Sequence, residues 1–508
     1  MHSTNQEEDQ TMSKVQVVKS MIQLGVPVIF QAFMSFLNQT VNIFYSGYDP
    51  DPSVVAGVGL GTTFINVVYL AVCLGLNGVL QSLISQSIGA GNYRQSGIYV
   101  NRGRLIITIW CPIAIFLSFF LEDTLIAIGI DSQTAKCAQN YTVRQIPGLI
   151  AFMYFDIARQ FLVGYGKPLL STYIQVITGI LHIFLCHFLI VKMELPYYYT
   201  SYSTCLQFFA NFVIIHFLIK LDSQYNESWF LGGMETFSNF CEYAKLAVPA
   251  ALLFCMEFLG FEALCIVSGY ISVTANAAQV ITFTTNVMFY MIPTGLSMAS
   301  TTIVGQLIGQ KNSKLAKAKS SFIIKFSLLL ALFMGGLLFV LRHQIAKLFS
   351  TNPEVVEITS QTFIVSAISV VFDFIYAIQQ GSIRALTKFN HAVAGGIVAF
   401  YVFAWPLGTL LGIYFKLGLK GLWMGLITGE AIVVLYFQYL LSWGFDWEKI
   451  TQQCSDRQDA DLKIINQREN LLMNSFDKVI DKDDEIIEMQ GNTYILESPD
   501  KAKLIQNK

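Results

Sequence analysis

The sequence predicts an all-α polytopic membrane protein with twelve transmembrane helices, arranged as two six-helix bundles that are parallel repeats around a central cleft. Three observations predict it. The 508 residues are 54% hydrophobic and only 13% charged, whereas soluble domains carry about 25% charged residues. The apolar residues fall into twelve runs of bilayer-spanning length. The second half of the chain repeats the first: LGVPVIF at Leu24–Phe30 matches LAVPAALLF from Leu246, pairing Pro27 with Pro249, Met34 with Met256 and Ser46-Gly47 with Ser268-Gly269.

In order, the chain opens on a polar N-terminal tail, residues 1–20, which is too polar to enter a membrane. The first apolar run lacks a small-residue cleavage site and is longer than a signal h-region, so it is expected to be a retained helix. The spans of the first bundle, residues 21–219, fall at Met21–Ser46, Val54–Leu83, Leu105–Leu121, Tyr141–Phe161, Leu169–Val191 and Tyr197–Ile219. A hydrophilic linker, residues 220–242, follows. The second bundle, residues 243–443, holds Tyr243–Ser268, Thr274–Val304, Phe322–Leu341, Val355–Ile383, Ala392–Phe415 and Leu422–Trp443. Residues 444–508 are rich in Asp, Glu, Lys, Gln and Asn and read as a solvated, partly disordered tail.

Orientation follows the Lys/Arg bias. Arg94, Arg102 and Arg104 follow span 2; Lys167 follows span 4; Lys311, Lys314, Lys317 and Lys319 follow span 8; Arg384 and Lys388 follow span 10. The connection after span 1, GYDPDPS, has no basic residue, whereas Lys192, Arg342, Lys347, Lys416 and Lys420 fall on the opposite side and leave the bias clear but imperfect. Even-numbered connections, the linker and both termini are therefore expected on the cytoplasmic side, in the plasma membrane or an endomembrane such as a vacuole. Six spans per half with equal orientation imply an axis along the membrane normal, an architecture suited to alternating access.

Charge and cysteines narrow the function. The net charge of −2 leaves no basic face for nucleic acid. The nine cysteines form no CxxC pair and no Cys/His ligand spacing, so neither a disulfide framework nor a metal site is expected. No nucleophile, metal or nucleotide motif appears, which argues against an enzyme.

The most informative stretch is AVPAALLFCMEFLGFEALCIVSG, Ala247–Gly269. It spans a bilayer yet holds Glu257 and Glu262 with no Lys or Arg beside them. A carboxylate at that depth costs a few to about 10 kcal/mol, and persists where it faces a wet cavity and handles something cationic. The alternative is a pair of protonated acids that only join helices. Five residues place the two ~140° apart around the axis and ~7.5 Å apart along it. Both reach one site only if the helix bends, as Pro249 and Gly260 permit. Pro27 and Pro249 are hinge candidates. Asp156 and Arg159 are spaced for an intrahelical ion pair. His182, His187 and His216 read as satisfied histidines rather than a proton relay.

Several ordered segments resemble the multidrug and toxic compound extrusion (MATE) family, eukaryotic branch. SQSIGAGNYRQSGIYVNRG resembles its connection after helix 2, and RQFLVGYGKPLLSTY the join of helices 4 and 5. CMEFLGFEALCIVSG resembles helix 7, IPTGLSMASTTIVGQLIGQKNSKLAKAK helix 8 and its following loop, FDFIYAIQQGSIRALTKF helix 10, and KGLWMGLITGE the start of helix 12. The resemblance covers nearly all of residues 20–443. It implies a secondary active antiporter that exports organic cations or other amphipathic compounds in exchange for protons, or for Na⁺. No cofactor is implied, and the chain is expected to act as a monomer among lipids. Residue by residue, it places coupling acids at Glu257, Glu262 and Asp373. Tyr290 and Tyr376 are candidate cavity aromatics for cation–π contact. Asn42 stands where bacterial members carry an acid in helix 1, which argues against proton coupling in the first half. Glu430 is not part of the family pattern and is either a substrate contact or a bonded, protonated acid. Two rival readings remain: a lipid-linked oligosaccharide flippase, disfavoured because mid-span Arg and Lys are nearly absent, and a membrane sensor or scaffold acting through the tail.

Overall fold

The computed structural model describes residues 13–463, with the side chains of Phe258, Phe261, Glu262, Ala263 and Ile266 outside the described set. Residues up to Gln458 form one compact unit. The described residues are helical throughout, with no strand among them.

Eleven of the described helices are long and apolar enough to cross a membrane. In the first half these are α1 (Lys14–Ser46), α2 (Pro52–Gly89), α3 (Tyr93–Phe119), α4 (Ser132–Gly164), α5 (Leu169–Lys192) and α6 (Tyr199–Leu221). The second half begins with α7 (Phe240–Gly269). It continues with α8 (Val273–Gly309), α9 (Ser313–Phe349), α10 (Pro353–Ala385), α11 (Phe389–Tyr414) and α12 (Leu419–Gly444). Each expected span is thus a helix, and several helices outrun their apolar cores. Ser13 starts α1 with a capping box to Gln16. Asn92 and Asn312 cap α3 and α9 at the two equivalent turns after α2 and α8. Polar first turns satisfied by caps continue the hydrogen-bond ladder beyond the apolar run, which is why hydropathy alone ends the helices too early.

The helices form two lobes of six. In the first, α1 packs on α5, α2 on α3 and α4, and α4 on α6; in the second, α7 packs on α11, α8 and α9 on α10, and α10 on α12. Large apolar side chains such as Phe116, Phe184, Leu329 and Leu435 point outward, as lipid-facing surfaces require.

The lobes meet through α1 and α2 on one side and α7 and α8 on the other, and small residues let the backbones touch. A Cβ on Gly75 of α2 would lie 2.3 Å from Ala251 Cα; a Cβ on Gly295 of α8 would lie 2.5 Å from Ile29 Cγ1. The contacts recur as a pseudo-symmetric pair at the helix ends. Gly89 presses on the Gln306 backbone and Gly309 on that of Gln86, each leaving 2.0 Å for a Cβ. The same glutamines cross the interface: Gln86 Nε2 donates to Ala385 O at 2.7 Å, and Gln306 Nε2 donates to Gly164 O at 3.4 Å. Gln81 donates to Met298 O and Thr302 Oγ1, and Thr302 to Val163 O. All these bonds lie at the end that carries the basic α2–α3 and α8–α9 turns, called here the basic end.

The linker folds back onto that end: Tyr225 and Ser228 are buried, and the linker carbonyls of Phe230 and Ser238 accept from Arg104 and Arg102. One expectation changes there: the segment after Gly444 is not wholly solvated. Residues 447–463 are helical, and Phe445, Trp447, Ile450 and Cys454 are buried in one cluster with Val17, Met21, Val304 and Leu307. Cys454 Sγ and Arg457 Nη2 both donate to Gln86 Oε1, at 3.2 and 2.6 Å.

Candidate functional site

The second lobe holds an acidic cluster built on α7, α8, α10 and α12. α10 offers one face at helical spacing: Ser369, Asp373, Tyr376, Gln380 and Arg384, stepping by three or four residues. Opposite it, Glu257 sits part-buried in the middle of α7. Its Oε1 accepts from Tyr376 Oη at 2.5 Å and from Gln380 Nε2 at 2.6 Å, while Gln380 also reaches Tyr376 Oη at 3.2 Å. Packing fixes the Tyr376 ring, stacked on Phe437 at 5.7 Å and edge-on to Phe400 at 5.9 Å. Tyr401 of α11 donates to Met256 O at 2.9 Å, tying the turn before Glu257 to its neighbour.

A second acidic pair lies on the same face of α10. Asp373, 8% exposed, is an electrostatic neighbour of Glu430, which is fully buried. Ser369 Oγ lies 2.7 and 2.8 Å from the two Glu430 oxygens. Tyr290, part-buried on α8, has Glu257, Asp373, Arg384 and Glu430 as its ionisable neighbours.

Arg384, expected from the sequence in a connecting loop, is instead the penultimate residue of α10 and is buried. Its Nη2 donates to Ser297 Oγ at 2.7 Å and its guanidinium lies 5.8 Å from the Phe254 ring. It thus stands one turn beyond Gln380, between Glu257 and the closed basic end.

The structure therefore brings Glu257, Asp373, Tyr290, Tyr376 and Glu430 together. Glu430 is completely enclosed and does not line open space, against its expectation as a cavity residue. Glu262 lies outside the described residues. Asn42 is not in this cluster. It is buried in the first lobe, donating to Tyr141 Oη and Thr204 Oγ1 at 3.1 and 2.9 Å and bonded to His182 Nε2 at 3.1 Å. His182 in turn meets Ser203 Oγ at 2.8 Å, a satisfied histidine as expected. Pro27 and Pro249 sit inside continuous helices. Gln380 and Ser369 went unnoticed in the sequence; their spacing from Asp373 and Tyr376 on one helix face was the available signal. No group of three His, Cys, Asp or Glu fit to hold a metal ion occurs among the described residues.

The fold is thus a two-lobed bundle of membrane-length helices with carboxyl groups buried in its second lobe, an architecture of membrane transporters. The MatE family profile matches residues 27–188 and again residues 249–410, the same 222-residue repeat that aligns Pro27 with Pro249. The chain belongs to the MatE family. It is 28% identical over 458 residues to multidrug and toxin extrusion protein 1 of Xenopus tropicalis, covering 89% of this chain and 79% of that protein. It is 24% identical over 455 residues to Protein DETOXIFICATION 17 of Arabidopsis thaliana, covering 89% of this chain and 95% of that one. Among solved structures, the fold matches the eukaryotic MATE transporter AtDTX14 with a TM-score of 0.82 at 22% identity, over 87% of this chain and 99% of that one. It also matches an outward-facing multidrug resistance MATE transporter with a TM-score of 0.75 at 15% identity, over 88% of this chain and 100% of that one.

Proposed function

We propose that the protein is an antiporter that exports organic cations or other amphipathic compounds in exchange for protons by alternating access. The observation that carries this reading is Glu257: a mid-membrane carboxyl group held by a phenol and an amide, with no ion pair within 4 Å among the described residues. Neutral donors hold the carboxyl in place without cancelling its charge, so a proton and an organic cation can compete for it. Tyr290 and Tyr376 supply aromatic surface beside it. The basic end is read as cytoplasmic on the Lys/Arg bias, and the contacts between the lobes lie toward that end. Protons arriving from the outer or luminal side neutralise Glu257, Glu262 and Asp373 and release the cation outward. The lobes of residues 21–219 and 243–443 then rock, with Pro27 and Pro249 as hinges, and deprotonation on the cytoplasmic side restores the anionic site.

The test is uptake of a fluorescent organic cation into proteoliposomes under an imposed pH gradient, compared with an imposed Na⁺ gradient. Uptake driven by the pH gradient alone is expected. Uptake driven only by Na⁺ would replace the coupling ion, and uptake driven by neither would remove the antiport reading.

A further inference from the structure

The two basic turns are alike in sequence and unlike in their surroundings. Asn92 and Asn312 cap α3 and α9, and two residues after each stands a cation in the first helical turn, Arg94 or Lys314, with no acid in that turn. A cation there opposes the helix dipole, which favours acids at that position, so an anion close by stabilises it. In the first lobe the linker covers the basic residues. Arg94 lies 3.7 Å from Glu235, Arg102 and Arg104 donate to linker carbonyls, and the Arg104 guanidinium lies 4.5 Å from the centre of the Trp229 ring. In the second lobe the equivalent lysines stay open. Lys311, Lys314 and Lys325 are exposed and have no acidic partner among the described residues.

The face of α9 that carries these lysines continues into the lipid. At ~100° per residue, Lys314, Lys317, Lys325, Leu328 and Leu332 fall within an arc of about 80°. Leu328 and Leu332 are exposed, in the part of α9 that is apolar enough to lie in a bilayer. The lysines therefore stand where this stripe leaves the hydrocarbon and enters the headgroups, and the long stem of Lys325 lets its ammonium reach back to them. Two aromatic side chains mark the same boundary on α12: Trp443 is 79% and Tyr439 56% exposed, and Trp and Tyr settle at the membrane–water interface. Lys317 joins the two helices there, its Nζ donating to Ser442 O at 2.8 Å, next to Trp443.

We propose that Lys314, Lys317 and Lys325 of α9, with Trp443 beside them, form a binding site for anionic phospholipid. The headgroup anion takes the place that Glu235 and the linker carbonyls hold in the first lobe, and the acyl chains run on over Leu328 and Leu332. Clustered lysines at a membrane surface each add to the attraction for anionic lipid. The rival occupant is the chain's own acidic stretch, Asp481–Glu488. Lipid is favoured because the lysine stripe passes without a break into the lipid-facing leucines, which an acidic peptide does not match.

The experiment counts phospholipid adducts on the full-length protein in detergent by native mass spectrometry, with phosphatidylserine and phosphatidylcholine of the same acyl chains in competition. Wild type is expected to prefer phosphatidylserine by about tenfold or more, and the preference should fall as ionic strength rises. Lys314→Gln, Lys317→Gln and Lys325→Gln together should abolish it. Lys136→Gln, Lys192→Gln and Lys347→Gln together make the same change of charge on exposed side chains at the opposite end, and should leave it intact. Elution profiles check that both variants fold. An α9 variant that keeps the wild-type preference, or a control that loses it equally, would overturn the proposal. A preference that appears only in a chain ending at residue 463 would make the acidic stretch the occupant and overturn it too. So would displacement of the lipid by equimolar glycerophosphoserine, which has the headgroup without the acyl chains. None of these readouts involves transport, so they leave the antiport reading to its own test.

Discussion

Both lobes bury acids in their centre, and they treat them in opposite ways. In the first lobe Asp156 is fully enclosed and meets Arg159, whose Nε donates to Oδ1 at 2.7 Å. Asn77 donates to its other oxygen at 2.7 Å, and Arg159 continues to Gln31, which is bonded to Ser171 and Thr172. The charge is cancelled inside one helix turn and the network braces α1, α2, α4 and α5. In the second lobe Glu257 receives a phenol and an amide, and the lobe's buried cation, Arg384, bonds to Ser297 instead. An acid paired with arginine has a fixed protonation state; an acid held by neutral donors can change it. The two halves of the repeat thus hold their buried acids differently, one by an arginine and one by neutral donors.

The widest separation between the lobes is expected for the two acids themselves. Glu257→Gln should abolish pH-driven exchange while the protein still folds, since removing an uncompensated buried charge relieves a desolvation cost. Purified yield and a monodisperse elution profile check the folding; proteoliposome uptake checks the loss. Unchanged pH-driven uptake would move the coupling site elsewhere. Asp156→Ala should do the converse. It strands the Arg159 charge, a loss of about 3 kcal/mol or more, so thermal stability in detergent should fall sharply. Whatever protein survives should keep the wild-type pH profile. A shifted profile with intact stability would erase the contrast between the lobes.

The ends of the two lobes match better than their centres. Tyr225 in the linker and Trp447 after α12 are 222 residues apart, and both are buried. Each lobe is therefore followed by a segment that returns to the basic end. A chain ending at Gly444 loses Trp447 and Ile450 from the core, worth roughly 3 kcal/mol or more, and loses two of the partners of Gln86. It should melt earlier and transport less per molecule, whereas a chain ending at residue 463 should match the full-length protein. Equal melting temperatures for the two truncations would show that the returning segment adds nothing.

The sequence made the spans legible because a bilayer demands long apolar runs, and the repeat legible because Pro, Gly and Ser-Gly recur in register. Glu257 stood out for the same reason, a charge where hydropathy forbids one. What pairs with what was not legible. Arg384 falls just past an apolar run and reads as a loop cation, although α10 continues one more turn and buries it. Glu430 reads as either a substrate contact or a bonded acid, because sequence cannot say which face of α12 meets α10. The segment after Gly444 reads as a solvated tail with room for a short helix, because its few apolar residues, Phe445, Trp447, Ile450 and Cys454, are diluted by charge; their shared helix face was the signal for burial.

The smallest expected effect tests the division most finely. Asn42 cannot titrate and spends its amide on Tyr141, Thr204 and His182 inside its own lobe. Asp373 is a charged neighbour of Glu257 across the cluster. On the antiport reading proposed above, a cation binds from the cytoplasmic side only after the site has lost its proton, so the pH of half-maximal transport should follow the proton affinity of Glu257. A nearby negative charge strengthens proton binding to a carboxylate, and two interacting acids titrate as a unit. Asp373→Asn removes that charge, so Glu257 should release its proton at lower pH and the midpoint should move down, with weaker cation affinity. Asn42→Ala removes hydrogen bonds but no charge, so it should slow turnover and leave the midpoint in place. The pH profiles of ethidium exchange by the two variants, normalised to membrane-inserted protein, decide between the lobes. A midpoint moved by Asn42→Ala and not by Asp373→Asn would place proton coupling in the first lobe.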